Sequence, residues 1–396
     1  MSPRDRALVA LAWALTGVVA LVIVARTFGP TYAVAGDAHY VLATARSLAF
    51  DGDLDLTNQY WIMGDRWGLG RDPASDGWRL PPRELGASLL MVPGLWARHG
   101  LGFDPRWEPT FACLLAAASL AGTWLGCLAC LDAIDDRAGR GRDRSRPWIA
   151  GAMILASVAP FYAIGRSGYA HAPDALACAW LTWALVARRS PVVVGALLAC
   201  TVLIRMQNLL WLAWPLLELV RAAAGERRAE AARVAVIVAI ASLALAPQAW
   251  LALVHPGSVQ GSIRWDLGFF DLRELGSDVV RVVFGVHGLV RWTPLAGLGL
   301  LGLIARARDG DAKPSLIVAA LVLLCACVRD VDGGDAFGAR RLAGIVPLLA
   351  IGLAAAWDRT SGRTRSVAIV AGVIAVIGNL ALIGLAIAGE VSLAAS

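Results

Sequence analysis

The stretch Leu8-Val9-Ala10-Leu11-Ala12-Trp13-Ala14-Leu15-Thr16-Gly17-Val18-Val19-Ala20-Leu21-Val22-Ile23-Val24-Ala25-Arg26-Thr27 carries no ionisable side chain before Arg26. A helix rises about 1.5 Å per residue, so a run of this length crosses the roughly 30 Å hydrocarbon core of a bilayer. The apolar core of a secretory signal is shorter, about 7–15 residues. Ala33-Val34-Ala35 imitates a cleavage site, but the length of the run before it makes the segment an uncleaved signal anchor with its N-terminus in the cytoplasm. The segment after this span is no ordinary connector. Residues 30–109 form a loop rich in Trp, Pro and Asp, longer than connections normally are, and it begins with Gly36-Asp37-Ala38-His39-Tyr40.

Beyond that loop, the rest of the chain repeats the apolar theme. Of its 396 residues, 58% are hydrophobic and 17% charged, and the mean hydropathy is +0.63. A soluble domain of that size needs more polar surface. Apolar runs fall at 8–27, 110–131, 148–164, 172–187, 192–204, 209–220, 234–254, 294–304, 316–328, 342–357 and 367–388. They predict an all-α polytopic membrane protein of about 11 spans, built as one transmembrane domain over 1–396 with no separate soluble domain.

The net charge of +6 and pI near 9.2 come from arginines in alternate short loops: 137–146, 188–189, 221–233, 306–313 and 359–365. The positive-inside bias accounts for them and assigns those loops to the cytoplasm, so nucleic acid is not an expected partner. Loops 31–109, 166–171, 255–291 and 329–341 then face outward. The seven cysteines all lie in or beside apolar runs. Cys127-x-x-Cys130 has redox or half-zinc spacing but no second pair of ligands, so packing explains it better.

Ionisable residues in the outward loops are the candidates for chemistry. Asp37, directly after the first span, reads either as an N-cap for the next helix or as a general base at the interface. From Asp37 to Phe50 polar and apolar residues alternate at helical spacing, which would lay Tyr40, Leu42, Ala43 and Leu48 on the membrane face. Residues 86–97 predict a second juxtamembrane helix. Asp51, Asp53 and Asp55 alternate as in a weak cation site, or close an acidic turn. Arg79-Leu80-Pro81-Pro82-Arg83 sets two guanidiniums on a stiff turn, and a guanidinium fork suits a phosphate. Asp174 heads a span with His171 three residues before it, close enough in sequence to pair with it. Arg205-Met206-Gln207-Asn208 interrupts apolar sequence, as residues lining a cavity do. Arg340 and Arg341 end a glycine-loosened loop that includes Gly333-Gly334-Asp335 and suits an anionic headgroup.

One span, a long outer loop opening with Gly-Asp-x-x-Tyr, a Pro-Pro turn before a juxtamembrane helix and an Asp heading a later span together resemble the GT-C membrane glycosyltransferases. The likeness is to bacterial relatives of aminoarabinose transferase and the protein O-mannosyltransferases. The resemblance implies inverting transfer of a sugar from a polyprenyl-phosphate donor to an acceptor hydroxyl on the extracytoplasmic side of the cell membrane. It makes Asp37 the base and Asp174 the second acidic residue, helping to orient acceptor or sugar. Arg79 or Arg83 would bind the lipid phosphate beside Arg340 and Arg341, with Tyr40, His171 and Arg205 lining the substrate cavity. Position 38 is Ala where many relatives carry a second acid, which puts use of a divalent metal in doubt. The rival expectation is a transporter or flippase for a polyprenyl-linked or anionic solute. Such proteins usually carry two similar halves, and none is visible here.

Overall fold

The computed structural model describes residues 1–65, 74, 76–255, 270–331 and 336–390. Its α-helices are α1 (Pro3–Phe28), α2 (Ala38–Arg46), α3 (Thr57–Met63), α4 (Leu85–Gly100), α5 (Glu108–Ala112), α6 (Leu114–Arg137), α7 (Arg146–Leu155), α8 (His171–Val186) and α9 (Pro191–Ile204). The second half adds α10 (Ala213–Arg221), α11 (Arg227–Leu243), α12 (Ala246–Val254), α13 (Leu275–Phe284), α14 (Leu289–Trp292), α15 (Ala296–Arg308), α16 (Lys313–Ala326), α17 (Val346–Trp357) and α18 (Gly362–Ala388). Among the described residues there is no β-strand, only an isolated antiparallel bridge between Phe270 and Val328.

The first span is punctuated at both ends. Ser2 and Asp5 cap each other's backbone amides reciprocally, Pro3 supplies a pre-set φ, and Gly29 ends the helix at φ 93°. Only 17% of the most apolar stretch of α1 is buried by protein, and only 11% of that of α18. Leu8, Leu11, Leu15, Val19 and Ile23 point outward from α1, as do Val367, Val370, Ile374 and Ile377 from α18. Two apolar helices that bury so little against protein require a hydrocarbon solvent. The chain is an all-α membrane protein.

The number of spans is less simple than the eleven runs suggest. Four helical stretches are long and apolar enough to cross: Pro3–Phe28, Pro105–Arg137, Arg340–Trp357 and Gly362–Ala388. A fifth arises if Leu275–Trp292 and Ala296–Arg308, bent by 109° at a short break, count together. The other runs are helical but short or broken. Pro191–Ile204 and Lys313–Ala326 are shorter apolar helices, and 148–164 divides into α7 and a separate turn, Phe161–Gly165.

The bundle centres on α6, α8, α15 and α17. α1, α7 and α18 flank one side of it, and α9, α11, α13 and α16 the other. Backbones approach through glycine where they cross. A Cβ on Gly302 would sit 1.8 Å from the Gly352 carbonyl oxygen, and one on Gly17 would sit 2.3 Å from that of Ala117.

Ion pairs divide the loops between two ends. At one end Arg6 bonds Asp132 (2.6 Å), and Arg146 bonds Asp135 (2.8 Å) and Asp358 (2.9 Å). Lys313 bonds Glu218 (3.1 Å), Arg188 bonds Glu230 (3.1 Å), and Arg359 pairs with Asp309. These are the loops that charge counting grouped on one side. At the other end α2 to α5 form a cap across the helix tops.

That cap corrects one expectation. Tyr40, Leu42 and Ala43 are buried against protein instead of facing lipid, because α2 is enclosed by α4, the turn Ser47–Asp51 and the Tyr32–Val34 turn; only Leu48 is half-exposed. Arg46 pairs with Glu108 and donates to Gln59 (3.0 Å), and Arg98 lies 3.7 Å from the same Glu108, so α2, α4 and α5 share one buried carboxylate.

Candidate functional site

The site at the capped end starts from a glycine. Gly36 has φ +66°, and a Cβ there would lie 2.3 Å from the Tyr169 hydroxyl, so the chain entering α2 presses directly on the loop before α8. Gly168 N donates to the Ala33 carbonyl (2.9 Å), and Arg166 donates to the Tyr32 carbonyl (2.7 Å) while lying over the Tyr32 ring. These contacts fix Asp37 at the first turn of α2. Its side chain takes no capping bond, although it holds the N-cap position.

Instead Asp37 Oδ1 accepts from Arg83 Nη2 (2.8 Å), and Oδ2 lies 4.0 Å from Arg340 Nη2. Arg83 comes from the turn before α4, and Arg340 from the turn Arg340–Ile345 that leads into α17. Residues some 300 positions apart in the chain thus meet around one carboxylate. The Asp37 side chain is 37% exposed, so the carboxylate stands half-open to solvent.

A second layer continues inward. The Arg340 guanidinium lies 5.4 Å over the Tyr169 ring, Tyr169 stacks on His171 at 5.8 Å, and Arg205 Nη1 bonds His171 Nδ1 (2.7 Å). A guanidinium only donates, so Nδ1 must accept and the imidazole is neutral. His171 therefore turns to Arg205 and not to Asp174 as its sequence position suggested. Asp174 Oδ1 accepts instead from Asn208 Nδ2 (2.7 Å), whose amide also donates to the Thr201 carbonyl (3.0 Å). Asp174 is fully enclosed and its Oδ2 has no partner. The break after α9 makes this possible. Arg205 is extended at φ −151°, and the turn Met206–Leu212 brings Gln207 to the Arg341 carbonyl (2.6 Å) and Asn208 to Asp174. α4 is pressed onto the same break, where a Cβ on Gly86 would meet Ile204 N at 2.6 Å.

Comparison with known proteins adds a distant likeness. The crystal structure of the Archaeoglobus fulgidus oligosaccharyltransferase in the apo form matches with a TM-score of 0.48 and 12% sequence identity, over 97% of this chain and 57% of that one. The present chain thus spans little more than half the length of that protein. No protein-family model matches the sequence, and no curated protein is similar to it.

The remaining expected residues divide by geometry. Arg341 turns away from Asp37 and pairs with Asp330 (2.9 Å), while both late arginines line a shallow cleft with Arg281, His287 and Gly338. The backbone N–H of Arg79 donates to Asp55 Oδ1 (3.0 Å) and its carbonyl accepts from Leu56 N, so the residue braces the loop. Tyr40 is enclosed by protein. It is buried with Leu56 and Tyr60 and donates to Asp65 (2.8 Å). Burial and the neighbouring Asp65 push the Tyr60 phenol above its usual range.

Asp51, Asp53 and Asp55 each accept from nearby donors: Asn58 and Gln59, Ser47, and Thr57. Among the described residues no three His, Cys, Asp or Glu side chains gather into a metal-ligating group. The donor set at Asp37 does not suit a divalent cation either, since its charged neighbours are two guanidiniums. Cys127 and Cys130 are buried within α6. Gly333-Gly334-Asp335 lies outside the described residues.

One feature of this end escaped sequence reasoning. His255 Nδ1 and Asp76 Oδ2 lie 2.5 Å apart, with Trp78 stacked on the imidazole at 4.2 Å, so the long loop is clasped to the end of α12. That hydrogen bond holds the Asp76 carboxyl below its usual range. Nothing local marks such a pair, because its members are 179 residues apart.

Proposed function

We propose that the chain is a GT-C-type inverting glycosyltransferase of the cell membrane. It takes a sugar from a polyprenyl-phosphate donor at its capped, extracytoplasmic end. The observation that carries this reading is the half-open Asp37 carboxylate flanked by Arg83 and Arg340. A carboxylate that accepts protons and cations that receive a phosphate are the two parts such a reaction needs. The acceptor hydroxyl gives its proton to Asp37 as its oxygen bonds the anomeric carbon. The bond from that carbon to the phosphate oxygen breaks with its electron pair, and the departing lipid phosphate gains the negative charge that Arg83 and Arg340 neutralise.

Asp174 has a different role in this scheme. Being sealed from solvent, it is a positioning residue that holds the α9 break through Asn208 and so keeps Arg205 on His171. About eleven hydrophobic segments, several broken or short, fit a bundle whose interrupted helices line a cavity.

The test is turnover. Purified protein receives a radiolabelled polyprenyl-phosphate sugar with candidate acceptors, and release of lipid phosphate is measured. Wild type should turn over, and Asp37→Asn should be slower by roughly a hundredfold or more, the usual contribution of a general base. Equal rates in the two proteins would remove Asp37 as the base. Uptake of the intact donor across a vesicle without cleavage would support the flippase instead.

A further inference from the structure

We propose that Asp37 and the donor phosphate compete for Arg83, so that donor binding frees the Oδ1 side of the base. This rests on the transferase reading and deepens it by assigning how the site is regulated. Arg83 offers Asp37 a single hydrogen bond through Nη2, while its Nε is buried without any acceptor. Nε and one Nη form an edge that grips two oxygens of one anion in parallel. A single carboxylate oxygen on Nη2 leaves that edge half-used. Arg340 is uncommitted toward Asp37: at 4.0 Å from Oδ2 it is beyond hydrogen-bond reach of that carboxylate, and its guanidinium lies 5.4 Å over the Tyr169 ring. The two guanidiniums therefore present more N–H groups than the carboxylate can occupy.

The donor phosphate, a diester between lipid and sugar, supplies what is missing. Its two non-bridging oxygens take the Nε–Nη2 edge of Arg83 in parallel while drawing Arg340 in, and the monoester left after transfer carries the further charge. The ion pair it displaces is easily exchanged, because Asp37 and Arg83 are 37% and 32% exposed and such pairs are weak. Once Arg83 turns to the phosphate, the lone pairs of Oδ1 are released for the acceptor hydroxyl. Without donor the Oδ1 side of the base is held by a cation, and only Oδ2 faces an incoming hydroxyl unbonded. Donor binding thus favours acceptor activation, and the arginine that receives the leaving group is the one that releases the base.

Binding, measured without turnover, tests this. Farnesyl methyl phosphate, a diester like the donor, serves as a short-chain probe, titrated into the full-length protein in detergent micelles by equilibrium dialysis. Loss of the competing carboxylate in Asp37→Asn should tighten binding roughly three- to fivefold, although the same variant loses transfer. Arg83→Gln should weaken binding by about tenfold or more. Should Asp37→Asn fail to elute as folded protein, Asp37→Ala removes the competitor as well and carries the same expected sign. If the aspartate variants bind like wild type or more weakly while Arg83→Gln is impaired, the competition is overturned and the transferase reading stands. If wild type and Arg83→Gln bind the probe equally, or neither binds it, Arg83 does not receive the phosphate and the site assignment falls with the inference.

Discussion

Arg146 shows how much can depend on one side chain in a chain this apolar. Its guanidinium, 4% exposed, bonds Asp135 twice (2.8 Å each) and Asp358 (2.9 Å), while Arg140 reaches the same two carboxylates at 3.2 Å. Asp135 is 1% exposed, so removing its partner leaves a buried charge with only a half-exposed arginine to answer it. Arg146→Ala should therefore lose about 3–5 kcal/mol of stability, read as a fall in the melting temperature in detergent, while Arg142→Ala on the exposed side of the same loop should change little. At this scale the sequence disclosed residue types but not their partners. Asp37, Arg83 and Arg340 stood out as charges beside apolar runs. Tyr169 did not, because an aromatic near a span is unremarkable until the fold brings it onto Arg340, and Asn208 stood out only as part of a break, not as the partner of Asp174.

Among elements, the crossing of α15 and α17 is the tightest. A Cβ on Gly352 would lie 2.0 Å from the Gly299 carbonyl oxygen, and one on Gly302 would lie 1.8 Å from that of Gly352, so neither helix can carry a side chain there without moving. Gly352→Ala should cost about 1–3 kcal/mol by forcing the pair apart. Because α17 continues from the turn that carries Arg340, the same change should also lower transfer. Measuring melting temperature and turnover on one preparation checks both. Gly372→Ala on α18, where a Cβ meets nothing within 4 Å, is the matched control. Most helix positions were legible from apolar runs, but α13 and α14 fall in the 255–291 stretch read as an outward loop. Where a run is broken was legible at Arg205, since a charged and amide-rich tetrapeptide cannot continue an apolar helix at that depth. The membrane-facing α2 was misjudged because its alternation marks an apolar face without saying whether lipid or protein covers it.

For the whole molecule, the two ends differ in the kind of charge network they hold, and their orientation can be tested directly. Cysteine placed at Arg142→Cys should react with an impermeant maleimide only after the membrane is opened, and Asp104→Cys should react from outside in intact cells. The reverse pattern would invert the proposed topology. Native Cys200 is exposed from α9, whereas Cys113, Cys127, Cys130, Cys178 and Cys325 are buried, so labelling is best done on a Cys200→Ala background. That the chain is helical, that it belongs in a bilayer and which loops lie together could all be read from the residues in order. Apolar run length and the distribution of arginine follow from desolvation and are written locally, so no tertiary contact is needed to read them. Which charges meet was decided by packing alone. It put Arg83 and Arg340 on Asp37, sent Arg341 to Asp330, and closed Asp174 away behind Asn208. Apart from Arg341 and Asp330, 11 positions apart, those pairings join residues dozens to hundreds of positions apart, and a long flexible guanidinium reaches several carboxylates equally well until packing of α4, α8 and α17 removes all but one.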